Sequence, residues 1–182
     1  MIENKRYLAK IARRERLEAS QEKADTFVRK SIIGDYFSAD YNATPAGTFQ
    51  NLDKINLRWL RPDWFEYIPD PERPFSFTRA SGEVITPNQM LTDGGTIPRA
   101  LWVKPEFSPW CYTPCFLVHD WEFDQHHAEA SAKTFEDVRD TLAEGLKTLM
   151  ESNEFPKGER IFSAIYAGVS TDIAREYWDS DE

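Results

Sequence analysis

No stretch of this 182-residue sequence approaches the about 18 to 20 consecutive apolar residues that a membrane-crossing helix needs, so no bilayer span is expected. The start, MIENKRYLAKIARRER, lacks the apolar core and cleavage site of a secretion signal, which predicts a soluble protein made without one. Cysteine is scarce: Cys111 and Cys115 are the only two, and four residues apart they lack the two further ligands of a structural zinc site. Reduced, mostly buried thiols are expected. Eight Gly and eleven Pro are too few and too scattered for a collagen-like or low-complexity chain. Positive charge is also in deficit, with 22 Lys and Arg against 31 Asp and Glu, and the deficit is uneven. Residues 1–30 hold nine basic against five acidic side chains, leaving thirteen against twenty-six for the remainder. Such a body repels nucleic acid, which is not an expected partner.

What the sequence has in quantity is apolar and aromatic residues, 41% and 14% of the chain, enough for one compact core at this length. Residues 1–30 contain no Gly or Pro and are rich in Ala, Leu, Lys, Arg and Glu, which predicts a helix with a thin apolar stripe (Leu8, Ile11, Leu17). Residues 31–50 read as an irregular linker. From Ile55 the period changes to two: Leu57 and Trp59 alternate with Asn56 and Arg58, and Phe75 and Phe77 with Ser76 and Thr78, as in half-buried strands. The stretch IPDPERP between them is a loop, and Ala80-Ser81-Gly82 a hairpin turn into a strand at 83–86 that Pro87 ends or places on an edge.

The last third is helical. Thr113 is the expected N-cap and Pro114 the first residue of a helix through CFLVHDWEF. A second helix carries Phe135, Val138, Leu142, Leu146 and Leu149 at spacings of three or four, and a third carries Phe162, Ile165, Tyr166, Val169 and Ile173. The expected fold is therefore α+β, a small antiparallel β-sheet from 55–92 packed against C-terminal helices. It divides into an N-terminal helical arm and linker (1–54) and a globular domain (55–182).

Two segments carry chemistry. In Thr92-Asp93-Gly94-Gly95-Thr96-Ile97-Pro98 a carboxylate and a hydroxyl flank two Gly, a composition suited to a tight turn whose N–H groups hold an anion or oxyanion. In Val118-His119-Asp120-Trp121 an imidazole and a carboxylate sit side by side near the start of a helix. Neighbouring helical side chains diverge by about 100°, so one of the pair faces inward while the other holds a nearby loop. His119 and His126 lie about 10.5 Å apart along a helix axis, too far to share one metal ion. A divalent ion between Asp93 and His119 or Asp120 stays a candidate, its ligand set unknown. His126 and His127 are expected to be exposed at the helix end.

The string ITPNQMLTDGGTIPRALW, followed by CFLVHDWEF, resembles the phage- and prophage-associated domain-of-unknown-function family numbered 1353. Thr92, Asp93, Pro98, Trp102, His119 and Asp120 fall on its motifs, and the resemblance spans roughly residues 57–170. Thr96 stands where that family usually has Ser, and Phe123 where it has Tyr. The resemblance implies a phage origin and brings no established reaction.

Two functions are compatible with these residues. In one, the chain is a phage-derived accessory protein acting as a hydrolase: His119 is general base, Asp93 or Asp120 orients it or holds a metal, and Thr96 with the Gly94-Gly95 backbone supplies a hydroxyl and N–H donors. In the other it is a non-catalytic virion component or host-protein-binding factor that docks through its basic arm or self-associates as a homo-oligomer, in the host cytoplasm or the virion. In that case His119 and Asp93 only tie the turn to the helix.

Overall fold

The computed structural model describes residues 39–94, 110–152 and 154–180, together with Ala12. Apart from Ala12, the arm expected over 1–30 lies outside the described residues, as does the linker up to residue 38. Within them the architecture is α+β, but the small antiparallel β-structure is split into two three-stranded sheets. One has the order β1-β4-β5, from β1 (Thr48–Gln50), β4 (Ser76–Thr78) and β5 (Val84–Ile85); the other has the order β2-β3-β6, from β2 (Asn56–Arg61), β3 (Trp64–Ile68) and β6 (Met90–Thr92). All pairings are antiparallel. Thr48–Gln50, expected in the linker, thus form a strand, because Phe49 pairs with Phe77 and packs on it at 4.4 Å between ring centroids.

The β2–β3 hairpin turns at Pro62-Asp63. Proline sets its φ near about −65°, and Asp63 takes the left-handed φ of 62° that a short polar side chain tolerates. The Ala80-Ser81-Gly82 turn lies between β4 and β5 as expected, with Gly82 at φ 89°. Trp59, expected to be half-buried beside Leu57, is 61% exposed instead, since β2 is an edge strand and its register slips between Trp59 and Arg61. Ser76, expected to face outward, is buried because β4 is the central strand of its sheet.

Four helices follow: α1 (Thr113–His127), α2 (Phe135–Glu151), α3 (Glu159–Val169) and α4 (Asp172–Trp178). The α1 helix is the hub. Residues 114 to 119 are all buried, so it has no single apolar stripe and packs on several sides. Its start joins α2 and α3 through Tyr112, Cys115 and Phe116. Leu117 and Val118 meet Tyr67, Phe75, Phe77, Ile85 and Met90 from both sheets, and Phe123 meets Phe135, Val138 and Trp178. The N-cap is Tyr112, not Thr113: the Tyr112 carbonyl already accepts from the Cys115 and Phe116 amides, and the Thr113 hydroxyl donates to the Trp110 carbonyl. Both cysteines are free thiols, Cys115 fully enclosed and Cys111 half-buried; burial pushes the Cys115 thiol well up from its ordinary pKa.

The α2 stripe is buried as its periodicity predicts, and a capping box opens it, with Thr134 and Asp137 each accepting the other's amide. The third helix is shorter than its period suggests. It stops at Val169, and Ile173 belongs to α4, because the Thr171 hydroxyl accepts from the Ala174 amide and starts a new helix. Among the described residues no helix is long and apolar enough to cross a membrane.

Candidate functional site

The junction between the end of β6 and the middle of α1 brings the two chemical motifs together. Thr92 is 1% exposed and its hydroxyl works in both directions: it donates to Asp120 Oδ2 at 2.7 Å and accepts from the Gly94 amide at 3.0 Å. The turn and the helix are therefore joined through Thr92 and Asp120, residues 28 apart in sequence. Asp93 is half-buried just past the strand. Gly94 takes φ 80°, a conformation that favours glycine, and its N–H is directed at Thr92, which removes it from the set of donors expected for an oxyanion. Thr96 and Gly95 lie outside the described residues, as does Trp102.

His119 faces the interior, 9% exposed, with its ring 4.6 Å from that of Phe123. Phe123 supplies an apolar wall there and no hydroxyl. Asp120 diverges from His119 toward the β6 turn, yet its Oδ1 stays 3.8 Å from His119 Nδ1. His119 Nε2 is enclosed and has no hydrogen-bond partner among the described residues. Such an atom is costly, about 1 to 3 kcal/mol, and buried exceptions of this kind call for an explanation.

One residue on the same helix escaped the sequence reading. Glu122, three positions from His119 and so on the same face, is 4% exposed. Lys133 Nζ donates to its Oε1, while Oε2 is buried without a partner. Burial pushes the Glu122 carboxyl above its ordinary pKa, against the pull of Lys133 and His119. Lys133 also reaches Glu83 at 2.5 Å, Arg79 reaches Glu83 at 3.4 Å, and Arg79 donates twice to Glu144 Oε1, at 3.1 and 2.6 Å. A chain of buried and half-buried charges therefore ties the β4–β5 hairpin to α1 and α2. A helical hydrophobic pattern does not report such a chain, and its only sequence signal is an acid at i+3 from His119.

His126 and His127 are not exposed as expected. They are half-buried, because α4 docks on the end of α1: His126 Nε2 meets the Trp178 carbonyl at 3.0 Å with the rings stacked at 3.6 Å, and His127 Nε2 meets the Tyr177 carbonyl at 3.1 Å. Among the described residues no group of three or more His, Cys, Asp or Glu is placed to hold a metal ion.

Two expectations follow from these contacts. Thr92→Val keeps the shape but strands the Gly94 amide and removes the donor to Asp120. It should cost about 1 to 3 kcal/mol in urea unfolding, with Thr92→Ser near wild type. For Glu122 the folded state holds its proton more tightly than the unfolded chain does. The corresponding stability is complete below the ordinary carboxyl range and is lost as pH rises through the raised pKa. Glu122→Gln has no charge to desolvate and should flatten the decline in Tm measured from about pH 4 to about pH 8. Parallel Tm curves for the two proteins would contradict this.

Compared with protein-family models, with curated proteins and with solved structures, the chain matches none of them.

Proposed function

We propose that the protein is a phage-derived accessory protein acting as a hydrolase, with His119 as general base and Asp120 as the carboxylate that orients it. The observation that carries this reading is the environment of the imidazole. A general base needs one ring nitrogen held and the other available. His119 Nδ1 lies 3.8 Å from Asp120 Oδ1, close enough for a small turn of the carboxylate to hold it, Asp120 is itself fixed by Thr92, and Nε2, though enclosed, has no partner among the described residues. Thr96 and the Gly95 amide are proposed as the hydroxyl and donor for the developing oxyanion. The phage context rests on the resemblance of residues 57–170.

A second reading, a non-catalytic virion component or host-binding factor, is favoured by one observation: His119 is only 9% exposed. Assays on chromogenic ester, amide and glycoside probes, run beside thermal unfolding, separate the two. Under the hydrolase reading, His119→Gln loses about 10²- to 10⁴-fold in rate while the protein stays folded. Absence of hydrolysis with every probe class, or activity that falls only in step with stability, supports the non-catalytic component.

A further inference from the structure

Two buried polar atoms without a hydrogen-bond partner belong to neighbours on one helix, His119 Nε2 and Glu122 Oε2. Side chains three residues apart share a helix face, with Cβ atoms about 5 to 6 Å apart. The imidazole is also near enough for its charge to pull on the Glu122 carboxyl. The far end of each group is accounted for: Lys133 Nζ donates to Glu122 Oε1 and reaches Glu83, while His119 Nδ1 lies on the side of Asp120. Neither orphan atom has a partner among the described residues, so the two do not bond each other directly. Both residues are more than nine-tenths buried, at 9% and 4% exposure, so bulk solvent does not satisfy them either.

A single water molecule satisfies both atoms. Its two hydrogen bonds join groups about 4.5 to 5 Å apart, which matches the spacing of side chains at i and i+3. An internal water needs as few as two polar partners, and it donates to an imidazole nitrogen and a carboxylate at once. It also suits either state of Glu122, since it accepts from a carboxylic acid as readily as it donates to a carboxylate. A metal ion fits less well: two ligands leave its coordination incomplete, and among the described residues no group of three or more His, Cys, Asp or Glu is placed to complete it.

We infer that His119 Nε2 and Glu122 Oε2 hold one internal water molecule between them, with Glu122 as the residue that positions it against the imidazole. The water site stands whether or not His119 acts as a base. One consequence rests on the hydrolase reading: the base then acts on this water and not on a side-chain hydroxyl. His119 Nε2 takes a proton from the water, whose oxygen bonds to the electrophilic carbon as the leaving group departs, and that proton passes to the leaving group. No covalent enzyme intermediate forms. The test follows magnetisation exchange between water and the His119 ring C–H next to Nε2, by NMR on the full chain with isotope-labelled histidine, beside a crystal structure. A long-lived water contact is expected in the wild type, kept in Glu122→Gln and lost in Glu122→Met, with amide spectra reporting that each is folded. Should Glu122→Met not fold, density for a water between the two side chains in the wild type and in Glu122→Gln decides the matter. The site is overturned by a dry contact, by a direct His119–Glu122 hydrogen bond, or by a water signal unchanged in Glu122→Met. A bound water with no hydrolysis of any chromogenic probe overturns the catalytic reading and leaves the site standing, whereas hydrolysis with a burst of product overturns direct attack by water.

Discussion

Glu144→Ala is expected to cost about 3 to 5 kcal/mol, because it removes one half of a buried ion pair and leaves the other half behind. For a chain of this size that is a fall in Tm of roughly 6 to 20 °C. The Glu144 side chain is 8% exposed and that of Arg79 15%. One Glu144 oxygen accepts two bonds from the Arg79 guanidinium, and the other accepts the Ala80 amide at 3.1 Å. Without the carboxylate, Arg79 keeps only the longer contact to the more exposed Glu83 among the described residues, and the hairpin turn loses its anchor on α2. Removing the charge of both partners behaves differently. Arg79→Met/Glu144→Leu leaves no stranded ion and should recover much of the loss, since apolar replacements of buried pairs are often near neutral. Chemical unfolding of both singles and the double completes the cycle. Simple additivity of the two single losses would show that the pair is not coupled.

A comparable loss is expected for Gly47→Ala, for a steric reason. A Cβ at this position would lie 2.3 Å from the Thr78 carbonyl oxygen and 2.7 Å from two atoms of the Phe77 ring. The ring belongs to a fully buried side chain and the oxygen to backbone of the central strand β4, so neither gives way cheaply. Overpacking against rigid neighbours costs about 1 to 3 kcal/mol and occasionally more, and contact with backbone puts this case at the upper end or beyond. Gly82→Ala is the control. Nothing lies within 4 Å of the added methyl, and the cost comes only from φ 89°, about 1 to 2 kcal/mol. Urea unfolding of the two variants should rank Gly47→Ala clearly below Gly82→Ala; the reverse order would mean that β1 is held only loosely against β4.

How much of this was visible in the sequence differs by element. The α2 helix was legible because it buries one face, so Phe135, Val138, Leu142, Leu146 and Leu149 recur at helical spacing. For α1 the signal was Pro114 followed by an apolar string, since a helix covered on several sides has no stripe to read. The break between α3 and α4 was hidden, because the apolar period runs on through Ile173 while the Thr171 hydroxyl restarts the backbone. Strands β1 and β6 have three residues each, too few for alternation, and all three of β6 are buried. The β3 strand was missed because Pro62 and IPDPERP punctuate both of its ends.

At the site, His119 and Asp120 stood out as a motif, and the divergence of adjacent helical side chains anticipated that one would turn inward and the other toward a loop. The partner that Asp120 finds did not stand out. Asp93 drew attention as the acid of its turn, whereas the contact belongs to the hydroxyl of Thr92, selected by which residue of β6 points toward α1. Glu122 and Lys133 carry no such signal, because an ion pair between a helix and the loop that folds back from its end has no fixed spacing.

The seat of β1 has a consequence in time. The Gly47 amide donates to the Thr148 hydroxyl across 101 residues, and Lys147 Nζ donates to the Tyr41 carbonyl across 106. A ribosome adding about 5 to 20 residues per second needs about 5 to 20 s to travel from the first partner to the second. During that interval Phe49 has been made, but the helix that β1 rests on has not. The first strand among the described residues therefore settles in two stages: Phe49 can meet Phe75 and Phe77 as soon as β4 is made, but its other side stays uncovered until α2 emerges.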